Sequence, residues 1–157
     1  MDTTALLRRS ELFTSTTDEL LSSVAALATP IRFGRTDALF EQGGKADQVY
    51  LLEDGVVGIR FVTPEQGEVL VDTITKPGEV FGWSGLVAPF EYSFTARAMA
   101  DGGAVALPGA ELLELLREHP EVGMEVYRGL LLVVADRLQQ TRSSLLSILS
   151  RGTISQG

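Results

Sequence analysis

Cysteine is absent from this chain of 157 residues, and histidine occurs once. The first absence excludes disulfides, iron–sulfur ligation by cysteine and thiol redox sensing. The second leaves no zinc site: His119 stands alone before Pro120, at a helix junction, and reads as an exposed loop residue. No apolar run approaches the roughly 20 residues that a membrane-spanning helix needs. Met1-Asp2-Thr3-Thr4 lacks a basic segment leading into an apolar one, so no secretory leader is expected and the expected compartment is the cytoplasm. Positive charge is scarce: 13 Lys and Arg against 21 Asp and Glu give a net −8, and the bases form no stripe. Nucleic-acid affinity rests largely on phosphate electrostatics, so direct DNA binding by this chain is not expected. Phosphate-loop, dinucleotide-fold and nucleophile-elbow patterns are missing as well. No catalytic residue and no metal ligand is nominated, and the chain is read as non-enzymatic.

A hydrophobic content of 45% over this length is enough for one domain with a proper core. Three regimes follow one another. Residues 1–30 form a helical segment, with Thr16 or Thr17 as N-cap ahead of Asp18-Glu19-Leu20-Leu21, and Pro30 after its end. Residues 31–108 hold short strands at 32–34, 38–41, 49–53, 56–62, 69–75, 80–81, 93–100 and 104–107. Gly43-Gly44, Asp54-Gly55, Pro64-Glu65-Gln66-Gly67, Pro77-Gly78 and Asp101-Gly102-Gly103 separate them as turns. Helix returns over 109–151, and 152–157 reads as a flexible tail of the same domain. The expected class is α+β, mainly β: an eight-stranded jelly roll with N-terminal helices and a long C-terminal helix.

That last helix, expected over about 121–150, has a seam of Tyr127, Leu131, Val134, Leu138, Thr141, Leu145 and Ile148, spaced alternately by four and three residues. This is heptad spacing, and six of the seven are apolar or aromatic. The stripe either packs on the helix's own β part or meets a partner. Leu130, Leu132 and Val133 add apolar residues on neighbouring faces, which favours both a core and a partner.

Phe81-Gly82-Trp83-Ser84-Gly85-Leu86, then Tyr92-Ser93-Phe94-Thr95-Ala96-Arg97-Ala98, is the most informative stretch. Within residues 78–98 it resembles the phosphate-binding cassette of cyclic nucleotide-binding domains, as found in Crp/Fnr-type regulators and kinase regulatory subunits. The pieces Phe40-Glu41-Gln42-Gly43, 49–55 and 77–82 follow the same family's β-roll, or double-stranded β-helix, in order and spacing. The cassette departs from the pattern twice. Trp83 stands where the family has a glutamate for the ribose, and Tyr92 where it has an arginine for the phosphate. An indole N–H only donates, and a phenol carries no cation. The resemblance implies a ligand site at Phe81, Gly82, Trp83, Ser84, Gly85, Leu86, Tyr92, Ser93 and Phe94, with Ser93 keeping a phosphate-contacting hydroxyl.

Thr141, in the run Arg137-Leu138-Gln139-Gln140-Thr141 that is similar to part of the family's long helix, would roof the site; a tolerated threonine at a wet end of the seam is the other reading. With both charged anchors replaced, the ligand would be a weakly held cyclic nucleotide or an aromatic small molecule, and no cofactor is required. Alternatively, Trp83, Tyr92 and Phe94 fill the space themselves, leaving a ligand-free interaction module. The resemblance also implies a homodimer through Tyr127, Leu131, Val134, Leu138, Leu145 and Ile148. The family's DNA-binding domain would follow the long helix, where only Arg151 to Gly157 stand. A stand-alone sensor and a chain stopping at the hinge both remain open.

Overall fold

The computed structural model describes residues 2–156. Helix α1 (Thr3–Arg8) is capped by the Asp2 carboxylate, which accepts from the Thr4 amide, and α2 (Asp18–Leu27) by the Thr17 hydroxyl, which accepts from the Leu20 amide. Between them the chain turns rather than continuing as helix. There the Ser10 hydroxyl accepts from the Leu12 amide and the Arg8 guanidinium donates to the Thr16 carbonyl, local bonds that compete with a helical ladder.

Among the described residues six strands follow, not the eight expected: β1 (Thr29–Phe33), β2 (Ala38–Phe40), β3 (Gln48–Thr63), β4 (Gly67–Ile74), β5 (Val80–Phe81) and β6 (Thr95–Pro108). All pair antiparallel, in the order β1-β6-β3-β4, with β2 on β6 and β5 on β3. The difference comes from two fusions. Asp54-Gly55 and Asp101-Gly102-Gly103, expected as chain reversals, lie opposite each other as irregularities in the β3–β6 ladder, where the register shifts three times between Leu52 and Val57. Both strands bend there and run on. The facing backbones touch: Gly55 has φ +92°, and a Cβ on Gly102 would lie 2.2 Å from the Asp54 carbonyl oxygen. Only glycine fits that approach.

The alternation of β3 sorts the core into two parts. Val49 and Leu51 face the helices and join Leu6, Leu21, Val24, Leu112 and Val126; Tyr50 and Leu52 face the roll interior and join Phe33, Ile74 and Phe81. Helix α3 (Gly109–Glu118) leads through half-buried His119, at its C-cap, into α4 (Pro120–Gln156). Helix α4 continues through the segment expected as a tail from residue 152, and Gly157 lies outside the described residues. Val126 and Leu130 bury one face of α4 against the core, and Val134 packs partly on it. From Leu138 to Ser150 every residue of α4 is exposed.

Candidate functional site

Where β5 ends, Gly82 takes a left-handed conformation (φ +72°) and the chain enters a short 3-10 turn, Trp83–Leu86. A Cβ on Gly82 would lie 3.0 Å from the Phe40 ring and 3.1 Å from that of Tyr50, so the glycine serves both the turn and the aromatic packing beneath it. That packing is a stack. Phe40 lies 3.9 Å from Tyr92 and 5.7 Å from Tyr50, centroid to centroid, and Tyr50 lies 5.3 Å from Phe81.

Above the stack is a cavity of about 210 Å³. Phe81, Gly82, Trp83 and Ser84 line it from the cassette turn, and Tyr92, Ser93 and Phe94 from the segment entering β6. Phe40, Ile59 and Val71 close the roll side, and Arg137 and Thr141 reach in from α4. Eight of the ten residues expected at the site thus share one cavity. Gly85 and Leu86 do not line it: Gly85 is buried against the Gln48 carbonyl, and Leu86 belongs to the helix-side core.

Tyr92 is 5% exposed and does not offer its hydroxyl to the cavity. That hydroxyl donates to the Gln48 carbonyl at 2.7 Å and accepts from the Gln48 amide at 3.4 Å, beyond the end of two-residue β5. Burial pushes its phenol well above the ordinary value, assisted by the neighbouring Tyr50 and outweighing the bond to Gln48. Burial raises Tyr50 too, against the lowering effect of its hydrogen bond with Tyr92. Ring and hydroxyl therefore seal the floor where a phosphate-binding cation would stand. Arg97, five residues on, does not replace that cation. It lies between the core residues Ala96 and Ala98, so its side chain projects from the other sheet face, where it forks onto Glu68 at 2.7 and 3.0 Å.

Arg137, which the resemblance gave no role, also lines the cavity. Its guanidinium carbon lies 5.0 Å from the Trp83 ring centroid, and its Nε pairs with the Asp72 carboxylate on β4 at 2.8 Å, both side chains only 12% exposed. The signal was available: Arg137 precedes Thr141 by one helical turn, so the two share a face. Among the described residues, no group of three or more His, Asp or Glu is placed to hold a metal.

A separate, larger hollow of about 760 Å³ lies between α3 and the start of α4, lined by apolar residues including Phe90, Met124, Tyr127 and Leu131. It shares none of the cassette's aromatic walls. On the expected seam, Tyr127, Leu131, Leu138, Leu145 and Ile148 are between 40% and 69% exposed, whereas Val134 is partly covered by the chain's own core.

The sequence and the fold both match known proteins. The chain is 25% identical over 144 residues to the CRP-like cAMP-activated global transcriptional regulator of Mycobacterium tuberculosis; the match covers 92% of this chain and 62% of the regulator's length. A solved protein of Geobacter metallireducens GS-15, named for cyclic nucleotide binding, superposes with a TM-score of 0.76 at 30% identity, over 88% of this chain and 99% of its own. The catabolite activator protein of Thermus thermophilus superposes with a TM-score of 0.71 at 26% identity, over 90% of this chain and 63% of its own. The family model for the cyclic nucleotide-binding domain matches residues 30–119, more than half of the sequence, and takes in the roll, the cassette and α3. The chain belongs to the cyclic nucleotide-binding domain family.

Proposed function

We propose that this chain is a non-enzymatic, ligand-sensing regulatory domain. Its ligand enters the cavity between the cassette and α4, and the signal leaves through α4. One observation supports this above others: the cavity is walled on one side by the rigid roll and roofed on the other by Arg137 and Thr141 of the long helix. A molecule bound there touches both bodies at once. It therefore shifts the helix by as much as its affinity differs between the helix positions. The curated regulators that the chain matches are longer than it is, and what we carry over is sensing alone.

Cyclic nucleotides are weak ligands in this reading, because no cation of the cassette lines the cavity (Arg97 is turned onto Glu68) and Trp83 cannot accept a ribose hydroxyl. The exposed residues of the α4 seam meet those of a second copy, giving a homodimer that places the two cavities beside the shared helices. The test is a thermal-shift screen of cyclic nucleotides and aromatic acids. A ligand at a hundred times its Kd stabilises the fold by ~2.7 kcal/mol, a shift of several degrees for this length. Silence across both classes would instead make the domain a ligand-free interaction module.

A further inference from the structure

We propose that the cavity takes a small planar aromatic carboxylate, its ring against the aromatic walls and its carboxylate on the terminal nitrogens of Arg137, in competition with Asp72. This rests on the reading of the cavity as a ligand site and adds the ligand's class. Size is the first argument. At about 210 Å³ the cavity is smaller than the ~300–1,000 Å³ of pockets that hold drug-sized ligands, so one or two fused rings suit it better than a base, a ribose and a phosphate together. Shape is the second: Phe40, Trp83, Tyr92 and Phe94 line it with flat faces that favour a flat guest.

Charge is the third argument and decides the class. Of the residues lining the cavity, Arg137 alone is charged, and it stands at the helix side rather than on the cassette floor. A cationic guest gains nothing from the guanidinium, whose nitrogens only donate, and a neutral one makes no charge-assisted bond with it. Asp72 engages Arg137 through Nε, and the edge formed by the two terminal nitrogens can accept a second carboxylate end-on. Because Arg137 also ties α4 to β4, a guest carboxylate and Asp72 draw on the same cation. Binding therefore bears directly on how firmly the helix is held.

Trp83 is the only tryptophan, so its fluorescence reports this site without labelling. The full chain is titrated with benzoate, benzamide, cyclohexanecarboxylate and cAMP, with calorimetry for affinity. Benzoate is expected to shift Trp83 emission and to bind at least tenfold more tightly than either benzamide or cyclohexanecarboxylate. Arg137→Gln should erase the advantage over benzamide, and Asp72→Asn, which removes the competitor, should tighten benzoate several-fold. If Arg137→Gln fails to fold by circular dichroism, Arg137→Lys replaces it, with an expected partial loss. Equal binding of benzoate and benzamide, or an advantage that survives both Arg137 variants, overturns the proposal. Tight cAMP binding without benzoate binding overturns the ligand class and leaves the sensing function standing. No response to these probes or to the wider screen removes both.

Discussion

Tyr92 lines the cavity floor with a side chain whose polar end is used elsewhere. Its ring lies on Phe40 and its hydroxyl serves the peptide groups of Gln48, so both ends of the side chain are committed to the fold. Tyr92→Phe keeps the ring and removes the donor; it should destabilise by about 1 kcal/mol, lowering the Tm by ~2–4 °C for a domain of this size. An unchanged melting curve would mean that water satisfies Gln48 instead. Restoring the family's charged pair is a harsher change. Trp83→Glu with Tyr92→Arg, aided by Phe94→Ala for room, should raise cAMP affinity at least tenfold, ~1.4 kcal/mol. It should also lower the Tm, because an arginine at a position 5% exposed loses the ring stack. Calorimetry and melting curves on the same sample read both effects, and nanomolar cAMP binding by the unaltered chain would refute the premise. The substitutions at 83 and 92 were legible in the sequence because the motif frame around them is intact. The hydroxyl's partner was not, since Gln48 lies 44 residues away and only the pairing of β3 with β5 and β6 brings it near.

Helix α4 divides by face along its first half and by length thereafter. Val126, Leu130 and Val134 look to the core, Arg137 and Thr141 look to the cavity, and Leu131 and Leu138 look to neither. This gives the proposed dimer a discriminating test. Leu138→Glu, at a site 68% exposed in the single chain, should leave the protomer folded by circular dichroism and yield a monomer by sedimentation. Val134→Glu places a charge against the helix-side core and should lose at least ~2 kcal/mol, whatever the oligomeric state. A folded Leu138→Glu protein that still sediments as a dimer would remove the seam from the interface. Heptad spacing made the stripe visible, yet it could not tell the core-facing Val134 from its exposed neighbours, because burial depends on where the roll ends beneath the helix. The strands carry a similar lesson. The Asp-Gly segments at 54–55 and 101–103 are the same local chemistry whether a chain reverses or merely bends. Only their position opposite each other makes them bends, and Gly102→Ala should accordingly disrupt both long strands together.

At the scale of the whole molecule, the two tyrosines beneath the cavity should set the alkaline limit of stability. Burial raises both Tyr50 and Tyr92 above the ordinary phenol value of 10.0. Below pH 10 the folded and unfolded chains both hold these protons, so the contribution is complete there. Above it the unfolded chain releases them while the folded chain retains them, and stability falls as the pH rises toward the folded values. The acid side differs. Glu68 is held below its ordinary 4.5 by its hydrogen bond from Arg97, so its contribution is present above that pH and is lost as the pH falls through the lowered value. That pair sits at the surface, where such bonds contribute little. Stability should therefore decline steeply above pH 10 and only gently through this pair below pH 4.5. Melting temperatures from pH 8 to 11, for the parent and Tyr92→Phe, check the alkaline limb: the variant should start lower and lose less with rising pH. Parallel curves would show that Tyr92 does not control it. The two phenols lie in one stack with Phe40 and Phe81, under the same floor that excludes the phosphate cation. The packing that closes the cavity floor thus also ties the fold to a neutral phenol pair.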